Sequence, residues 1–367
     1  MQIVCLGDFM VCERVADHVR EHGIDDLVAH LKAMIAPADV AIANFEFFVC
    51  APGVPPRTRN HAVPEAVGIA ARAGFDAVSV ASNHAWDEGD EAIVHTLRGL
   101  NAAGVETFGL GDETGGEPQP VVIERKGVRL GLLAYASTSM VGTKTRFRAA
   151  MPTIARLRAD VAALADRCDV LLVSIHHGFG NYPSPEHRAW ARAAVEAGAD
   201  AVVSHHTHML SGFEGTGGSV AAYGLGDVVA PFLQPRLREG LCVRLDVADG
   251  RVAGWRCEPV LFDERGFPSR GDEAARSAVL ARLDEINRNL ARPDYELFYW
   301  SCLPRDLGRR FLKSWARDLR TYGLWTFLAK IRNARWYHLC LLWHMLLDTR
   351  PGRRVRRLFG KTDGKAP

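Results

Sequence analysis

Five segments of the chain place possible metal ligands directly after short apolar runs that have the composition of buried strands. The polar residues in these segments are Asp8, Asn44 and Glu46, Asn83 and His84, His176 and His177, and His205, His206 and His208. Carboxylate, amide oxygen and imidazole together suit Zn²⁺, Mn²⁺ or Fe²⁺ better than the metals selected by thiolates. Because ligands bind beyond the carboxyl ends of strands in open α/β sheets, we expect these groups to converge on one rim.

Each segment alone also has a purely structural explanation. Asp8 could cap a helix, and Asn83 or His84 could belong to a turn that leads into one. The segment His205–His208 is the strongest metal signal, since three imidazoles within four residues are costly to bury without partners. Because all five segments follow predicted strands in the same way, the pattern favours a metal site.

The elements that position these residues alternate between strands and helices up to about residue 260. Strands are predicted at 3–7, 40–44, 77–81, 129–135, 170–175, 201–204, 220–225 and 241–247. Helices are predicted at 25–35, 65–73, 88–103, 154–166 and 185–197. This alternation predicts a layered α/β domain, with an antiparallel hairpin turning at Asp249-Gly250.

The chain changes character after residue 265, which predicts an α/β domain over residues 1–265 and a helical extension over residues 266–367. Helices are predicted at 272–289, 304–320, 323–335 and 336–347. Residues 295–367 carry 16 Lys and Arg against 5 Asp and Glu, and five of the eight tryptophans. This tail could pack on the body or lie on an anionic membrane surface. Nucleic-acid binding is not expected, because no known module is recognisable.

Composition excludes several classes of protein. With 48% hydrophobic and 24% charged residues, the sequence is not that of a disordered or collagen-like chain. Its eight cysteines form neither a CxxC pair nor a disulfide-like framework. No signal peptide or membrane span is recognisable. We therefore expect a reduced, cytoplasmic protein, with peripheral contact at the inner face of the membrane as the alternative that the tail suggests.

Six short motifs occur in an order that resembles the CapA family of poly-γ-glutamate capsule proteins, which has a metallophosphatase-like (calcineurin-like phosphoesterase) fold. The motifs are Gly7-Asp8-Phe9-Met10, Asn44-Phe45-Glu46, Asn83-His84 with Asp87 and Gly89, His176-His177-Gly178 with Tyr182, His205-His206-Thr207-His208, and Tyr223-Gly224-Leu225-Gly226-Asp227. The resemblance covers about residues 1–260. It implies a four-layer αββα sandwich followed by a helical C-terminal extension.

The resemblance also implies roles for individual residues of a metal centre. Asp8 and His208 would bind a first metal, and Glu46 would bridge to a second. The other ligands of the second metal would be Asn83, His176 and His206. His84 would act as the acid, or as a cation facing the developing oxyanion, with Asp87 orienting it. The residues expected on the substrate side are Asn44, His177, Tyr182, His205 and Asp227.

The sequence leaves the metal count and the reaction open. Met10 occupies the place of the D-x-H histidine of ordinary phosphoesterases, so we expect one or two ions of Mn, Zn or Fe. The implied function is a metal-dependent hydrolase, acting on an amide or phosphoester linked to poly-γ-glutamate or another envelope polymer. The alternatives are a phosphoesterase proper and a non-catalytic scaffold for capsule synthesis.

The expected partner is an anionic polymer or a small-molecule substrate. Five basic residues lie in loop-like stretches and could bind such a polyanion or simply be solvated. They are Arg57, Arg59, Lys144, Arg146 and Arg148.

Overall fold

The computed structural model describes residues 1–302 except 59, 138–144, 217, 233, 235 and 236. The helices predicted at 304–320, 323–335 and 336–347 lie outside the described residues. The chain divides into two compact units, one of residues 1–138 and 144–292, the other of residues 139–143 and 293–367. The predicted boundary at residue 265 stays a prediction. Within the second unit, residues Tyr295–Cys302 form a helix.

Fourteen strands of the described residues form two sheets. In chain order they are β1 (Gln2–Phe9), β2 (Val40–Phe45), β3 (Ala77–Ser79), β4 (Glu106–Phe108), β5 (Val121–Arg125), β6 (Val128–Ala136), β7 (Val170–His176), β8 (Ala201–His205), β9 (Phe213–Thr216), β10 (Ser219–Ala222), β11 (Asp227–Val229), β12 (Glu239–Ala248), β13 (Arg251–Phe262) and β14 (Pro268–Ser269). The first sheet has the order β14-β13-β12-β1-β2-β3-β4, with β11 also paired to β1. The second has the order β5-β6-β7-β8-β10-β9.

Helices cover the outer face of each sheet. These are α1 (Glu13–His22), α2 (Asp25–Ile35), α3 (Glu65–Ala73), α4 (Asp90–Ala102), α5 (Ile154–Ala165) and α6 (Pro185–Glu196). A seventh helix, α7 (Glu273–Leu290), contacts β13 and β9, and the helix of the second unit at Tyr295–Cys302 is α8. Apolar side chains of α1 to α4 share one core cluster with alternate residues of β1, β2 and β3. Helices α5 and α6 pack on β6, β7, β8 and β10.

The two sheets meet through contacts of β1 with β8, β4 with β6, and β10 with β13. The resulting layers run helix, sheet, sheet, helix. This arrangement confirms the four-layer α/β prediction. Strands β1 to β4 are parallel, as are β6, β7, β8 and β10, so the carboxyl ends of the central strands gather along one edge of each sheet.

The local predictions hold best where a strand is long and buried. Strand β7 is buried at every position, which is typical of a parallel strand covered on both faces. The turn at Asp249 and Gly250 has φ values of 51° and 72°, and it joins β12 to β13 as the predicted antiparallel hairpin. The predicted strand at 220–225 instead ends at Ala222 and pairs in parallel with β8 as well as antiparallel with β9.

Helix α1 was not predicted from the sequence. It begins after Cys12, whose side chain makes no capping hydrogen bond, so the usual signal of a helix start is missing. Within the described residues, no helix combines the length and the apolar character that crossing a bilayer requires.

Candidate metal centre

The ends of four central strands bring the predicted ligands to one place. Asp8 in β1 lies opposite Asn44 in β2, and His176 at the end of β7 lies opposite His205 at the end of β8. Contacts between β1 and β8 join these two pairs across the sheets. The structure thus assembles a group of six side chains, which we call the ligand cluster. Its members are Asp8, Glu46, Asn83, His176, His206 and His208.

Glu46 is shared between two sets of possible metal ligands. One set contains Glu46, His176 and His206, and the other contains Asp8, Glu46 and His208, with the ligand atoms of each set within 4.8 Å of one another. Glu46 Oε1 lies 3.8 Å from His176 Nε2 and 3.7 Å from His208 Nε2. A single carboxylate therefore stands where it could bridge two cations.

Asn83 joins the first of these sets through its side-chain oxygen. Asn83 Oδ1 lies 2.7 Å from His176 Nε2 and 3.0 Å from His206 Nδ1. One amide oxygen and two imidazole nitrogens, all uncharged, thus lie together beside Glu46. This combination of oxygen and imidazole nitrogen fits Zn²⁺, Mn²⁺ or Fe²⁺.

The carboxylate of Glu46 shows that the cluster fits a cation. The side chain is fully buried, and neither oxygen has a hydrogen-bond partner within the part of the chain that the structure describes. Burying an unpaired carboxylate costs several kcal/mol, which a bound divalent ion would offset. Burial and the neighbouring Asp8 raise the pKa of Glu46 well above its usual value, and the nearby ring of His208 opposes this rise only in part.

His176, His206 and Asp8 have the protonation states that metal binding requires. Burial lowers the pKa of His176 well below its usual value and that of His206 to about 4, which leaves both imidazoles neutral. Burial alone would raise the pKa of Asp8, but hydrogen bonds from His205 and His208 outweigh it and the pKa falls well below its ordinary value. Asp8 is therefore a carboxylate at neutral pH.

Burial would lower the pKa of His208, but Glu46, Asp227 and Asp8 outweigh it and raise the pKa well above its usual value. A bound metal would therefore have to displace a proton from this ring.

Neighbouring polar groups orient these ligands. His208 Nδ1 lies 2.9 Å from Asp227 Oδ1, which leaves His208 Nε2 directed toward Glu46. Asn44 Nδ2 donates to Asp8 Oδ1 at 2.8 Å, and the backbone N–H of His206 donates to Asp8 Oδ2 at 3.1 Å. A contact like that of Asp227 with His208 fixes the tautomer and the ring orientation of a metal-binding histidine.

The backbone beside the cluster packs so closely that it leaves no room for a side chain at Gly7. Strand β11 approaches β1 so closely that a Cβ on Gly7 would lie 2.1 Å from the carbonyl oxygen of Gly226. This approach places Asp227 beside Asp8. His206 has a φ of 94°, a left-handed conformation that costs a non-glycine residue on the order of 1–3 kcal/mol and that concentrates at functional sites.

His84 lies beside the cluster and belongs to neither set. Its Nδ1 is 2.7 Å from Asp87 Oδ2, and its Nε2 is 3.9 Å from Glu46 Oε1. The side chain is 21% exposed, whereas that of Glu46 is fully buried. Ser82 fixes this segment by donating to the carbonyl oxygen of Glu46 and accepting from the backbone N–H of His84. His84 therefore presents one ring nitrogen to the edge of the cluster.

Residues 2–231 match the family model described as bacterial capsule synthesis protein PGA_cap. The chain belongs to this family. The matched range begins with β1 and ends just after β11, so it contains the whole ligand cluster together with His84 and Asp87. The membership confirms the resemblance inferred from the sequence motifs.

Individual relatives of this PGA_cap family member are distant. The chain is similar to the capsule biosynthesis protein CapA of Bacillus anthracis, at 25% identity over 272 residues that cover 69% of this chain. It spans 65% of the length of that protein. It is also similar to the PGA biosynthesis protein CapA of Bacillus subtilis (strain 168), at 23% identity over 293 residues that cover 76% of each chain.

Among solved structures, the chain is similar to a putative 5'-nucleotidase from Staphylococcus aureus in complex with alpha-ketoglutarate. The TM-score is 0.48 and the identity 13%, over 77% of this chain and 58% of that one.

The residues expected on the substrate side of the PGA_cap domain fall into two groups. Asn44, His205 and Asp227 are buried and contact the ligand Asp8 or His208, which gives them an orienting position. The structure does not bring the other two to the cluster. His177 is buried with its ring against Trp190 and His187, and the Tyr182 hydroxyl accepts from Asn289.

The remaining predictions from the sequence concern Met10 and the basic residues. Met10 is fully buried in the apolar core of the first sheet, so the set around Asp8 has three protein ligands. Arg57, Arg146 and Arg148 are exposed. Arg59 and Lys144 lie outside the described residues.

Two residues that contact the His84 segment, Asn60 and Ser82, were not predicted from the sequence. Asn60 Nδ2 lies 3.2 Å from His84 Nδ1 and 3.3 Å from Asp87 Oδ2. Ser82 precedes Asn83 directly, so its place in the motif was a usable signal. Asn60 lies in a loop rich in proline and arginine, far from any predicted strand end, and only its position in the folded chain reveals it.

Proposed function

We propose that this PGA_cap family member is a metal-dependent hydrolase of the CapA type. The bond cleaved is an amide or a phosphoester, linked to poly-γ-glutamate or another cell-envelope polymer. The observation that supports this proposal most is the buried carboxylate of Glu46, which lies between two sets of ligands and whose oxygens accept no hydrogen bond from the described residues. A buried charge of this kind is favourable only with a cation beside it.

The ligand sets define how the cations would be held. Asp8, Glu46 and His208 would hold one ion, and Glu46, Asn83, His176 and His206 would hold the other. Divalent Mn, Zn or Fe in such a site supplies Lewis acidity and lowers the pKa of a coordinated water. Asp227 and Asn44 keep His208 and Asp8 in their binding orientations through the hydrogen bonds described above.

His84 is placed to move a proton at the edge of the cluster. With its Nδ1–H held by Asp87, the opposite nitrogen Nε2 faces the side on which Glu46 lies. In the protonated imidazole this nitrogen can donate to a leaving group, and in either state it can orient the substrate. General acid catalysis of this kind contributes about 10²–10⁴-fold to a rate.

The nature of the polymer rests on the relatives. Two of them, from Bacillus, carry names that refer to capsule and PGA biosynthesis. Exposed Arg57, Arg146 and Arg148 are compatible with an anionic substrate.

We further propose a cytoplasmic location. If residues 295–367 contact anionic membrane, the full chain should float with phosphatidylserine vesicles. It should not float with phosphatidylcholine vesicles.

The decisive experiment combines metal analysis with two hydrolysis assays. Protein purified without chelator should contain one to two equivalents of transition metal. Hydrolysis of p-nitrophenyl phosphates would identify a phosphoesterase, and release of glutamate from poly-γ-glutamate would identify an amidase. Either activity should be lost in His84→Ala and retained in the control His22→Ala, which removes an exposed histidine of α1.

The same experiment can contradict the proposal. Protein without metal and without either activity would indicate the scaffold alternative, in which the chain serves capsule synthesis by binding. Full activity in His84→Ala would exclude the proton-transfer role and leave the metal site as the separate question that the metal analysis answers.

A further inference from the structure

Residues 57, 58 and 60 lie against the segment 84–88, and Glu88 anchors the first two of them. The Glu88 carboxylate accepts from the backbone N–H of Arg57 at 2.6 Å and from the backbone N–H and hydroxyl of Thr58 at 2.9 and 2.7 Å. Burial would raise the pKa of Glu88, but these hydrogen bonds outweigh it and lower the pKa. Glu88 is therefore an ionised, 4% exposed anchor whose charge is used to hold Arg57 and Thr58.

Thr58 passes this constraint on to Asn60. The Thr58 hydroxyl donates to Glu88 and accepts from the backbone N–H of Asn60 at 3.0 Å. The carbonyl oxygen of Thr58 lies 2.9 Å from His61 Nδ1. The backbone N–H of Asn60 and the ring of His61 thus both contact Thr58, which is itself held by Glu88.

The Asn60 side chain is directed at the contact between His84 and Asp87. Asn60 Nδ2 lies 3.3 Å from Asp87 Oδ2, the same oxygen that His84 Nδ1 approaches at 2.7 Å. Asn60 Nδ2 also lies 3.2 Å from His84 Nδ1. Because an amide nitrogen can only donate, its hydrogen goes to the Asp87 carboxylate when His84 Nδ1 carries the proton. Because the Asp87 side chain is 25% exposed, it could turn toward water if this second donor were removed.

We propose that Asn60 is a positioning residue that keeps Asp87 against His84 Nδ1 and thereby fixes the imidazole tautomer in which Nδ1 carries the proton. Asn60 acts through Asp87 and touches no member of the ligand cluster in the contacts of the described residues. The catalytic consequence rests on the proposed function of His84. The effect on the tautomer does not, because it follows from the three side chains alone.

The kinetic test compares Asn60→Ala with the control Asn101→Ala, which removes an exposed asparagine of α4 that contacts Thr107. With p-nitrophenyl phosphate or poly-γ-glutamate as the probe, Asn60→Ala should lower kcat about tenfold, the usual cost of losing a group that orients a catalytic side chain. KM and metal content should stay within about twofold of wild type. In an Asp87→Ala background, Asn60→Ala should change kcat by less than about twofold, since its partner is gone.

A spectroscopic test is independent of hydrolysis. In protein labelled with ¹⁵N-histidine, the two ring nitrogens of His84, assigned by their loss in His84→Ala, should report the Nδ1–H tautomer. Asn60→Ala should give a mixture of tautomers, and Asn101→Ala should leave the pattern unchanged. Asn60→Asp keeps the shape of the side chain but faces Asp87 with a negative charge, so it should disturb both the tautomer and kcat at least as much as Asn60→Ala.

Several results would overturn the inference. They are an Asn60→Ala variant that matches Asn101→Ala in tautomer and kcat, a full effect of Asn60→Ala in the Asp87→Ala background, and a loss of metal in Asn60→Ala. If wild type hydrolyses neither probe, the proposed function fails, and the tautomer of His84 still decides the role of Asn60.

Discussion

Buried histidines near the ends of β7 and β8 and in α6 occupy two contrasting environments. His176 and His206 surround Glu46, whose two buried oxygens have no partner among the described residues. Their neighbours on the other side, His177 and His187, lie against each other and against Trp190, with ring centroids 5.0–6.5 Å apart. His187 Nε2 is bonded to the Ser204 hydroxyl at 2.9 Å.

This contrast teaches which observation distinguishes a ligand from a core histidine. Burial lowers the pKa in both environments, to about 4 for His206 and to about 3 for His187. A low pKa therefore does not identify a metal ligand by itself. The distinguishing feature is the carboxylate beside the ring, because Glu46 requires a positive charge and the aromatic surroundings of His187 do not.

The largest expected effect comes from removing the carboxylate charge. Glu46→Gln should lose most of the bound metal and at least about 100-fold of the hydrolytic activity, since both ligand sets depend on this residue. In chelated protein the same change should leave the free energy of unfolding unchanged or higher, because removing a fully buried carboxylate that accepts no hydrogen bond from the described residues offsets the loss of its contact with His208. Metal analysis, kinetics and denaturant unfolding measure the three quantities. The control is Glu124→Gln, which removes an exposed carboxylate of β5, and retention of metal by Glu46→Gln would show that Glu46 does not distinguish the two environments.

In the environment of His187, a substitution should change the free energy of unfolding and not the metal content. His187→Ala should lower the free energy of unfolding by about 3 kcal/mol, because it leaves a cavity and deprives Ser204 of its hydrogen bond. Metal content and kcat should remain within about twofold of wild type. His206→Ala should show the reverse pattern, with loss of metal and a smaller change in stability after chelation. Loss of metal in His187→Ala would show that the two environments are not independent.

Much of the ligand cluster could be predicted from the sequence, because the polar residues follow strands whose apolar composition is unmistakable. Strand direction then determines that Asp8, Glu46, Asn83, His176, His206 and His208 meet. The strand pattern alone could not separate His176 from His177, and only the resemblance to the family assigned His176 to the metal. Adjacent residues at the end of a strand point to opposite sides, and the register of the strand decides which imidazole faces the other sheet.

Other features were beyond the reach of sequence patterns. Asn60 contacts His84 through a loop whose shape is set by hydrogen bonds to Glu88, and no periodicity encodes such a loop. Helix α1 lacks a capping side chain, and strand β4 is only three residues long, so both fall below the signals on which helix and strand prediction depends.

A change in the backbone can test the ligand side without removing any ligand. Gly7→Ala would place a Cβ 2.1 Å from the carbonyl oxygen of Gly226 and push β11 away from β1. We expect a loss of about 1–3 kcal/mol in the free energy of unfolding, together with weaker metal binding, since Asp227 would no longer orient His208.

The matched control for this change is Gly68→Ala in α3. Its Cβ would meet no atom within 4 Å, so it should be neutral or stabilising by up to about 1 kcal/mol. Thermal unfolding and metal titration of both variants provide the comparison. Equal behaviour of the two variants would show that the approach of β11 to β1 is not required for metal binding.

The last comparison concerns the pH dependence of stability on the core side. His187 has a pKa of about 3 in the folded protein, against about 6.5 in the unfolded chain, because burial disfavours the charged ring. The unfolded state therefore binds one more proton between these values, and folding stability must fall as the pH drops through this window, by about 1.4 kcal/mol per pH unit. His187→Gln keeps a donor for Ser204 and removes the titration. In metal-free protein, unfolding measured from pH 7 to pH 4 should show a shallower loss for His187→Gln than for wild type, and parallel curves would mean that His187 is accessible to protons in the folded state.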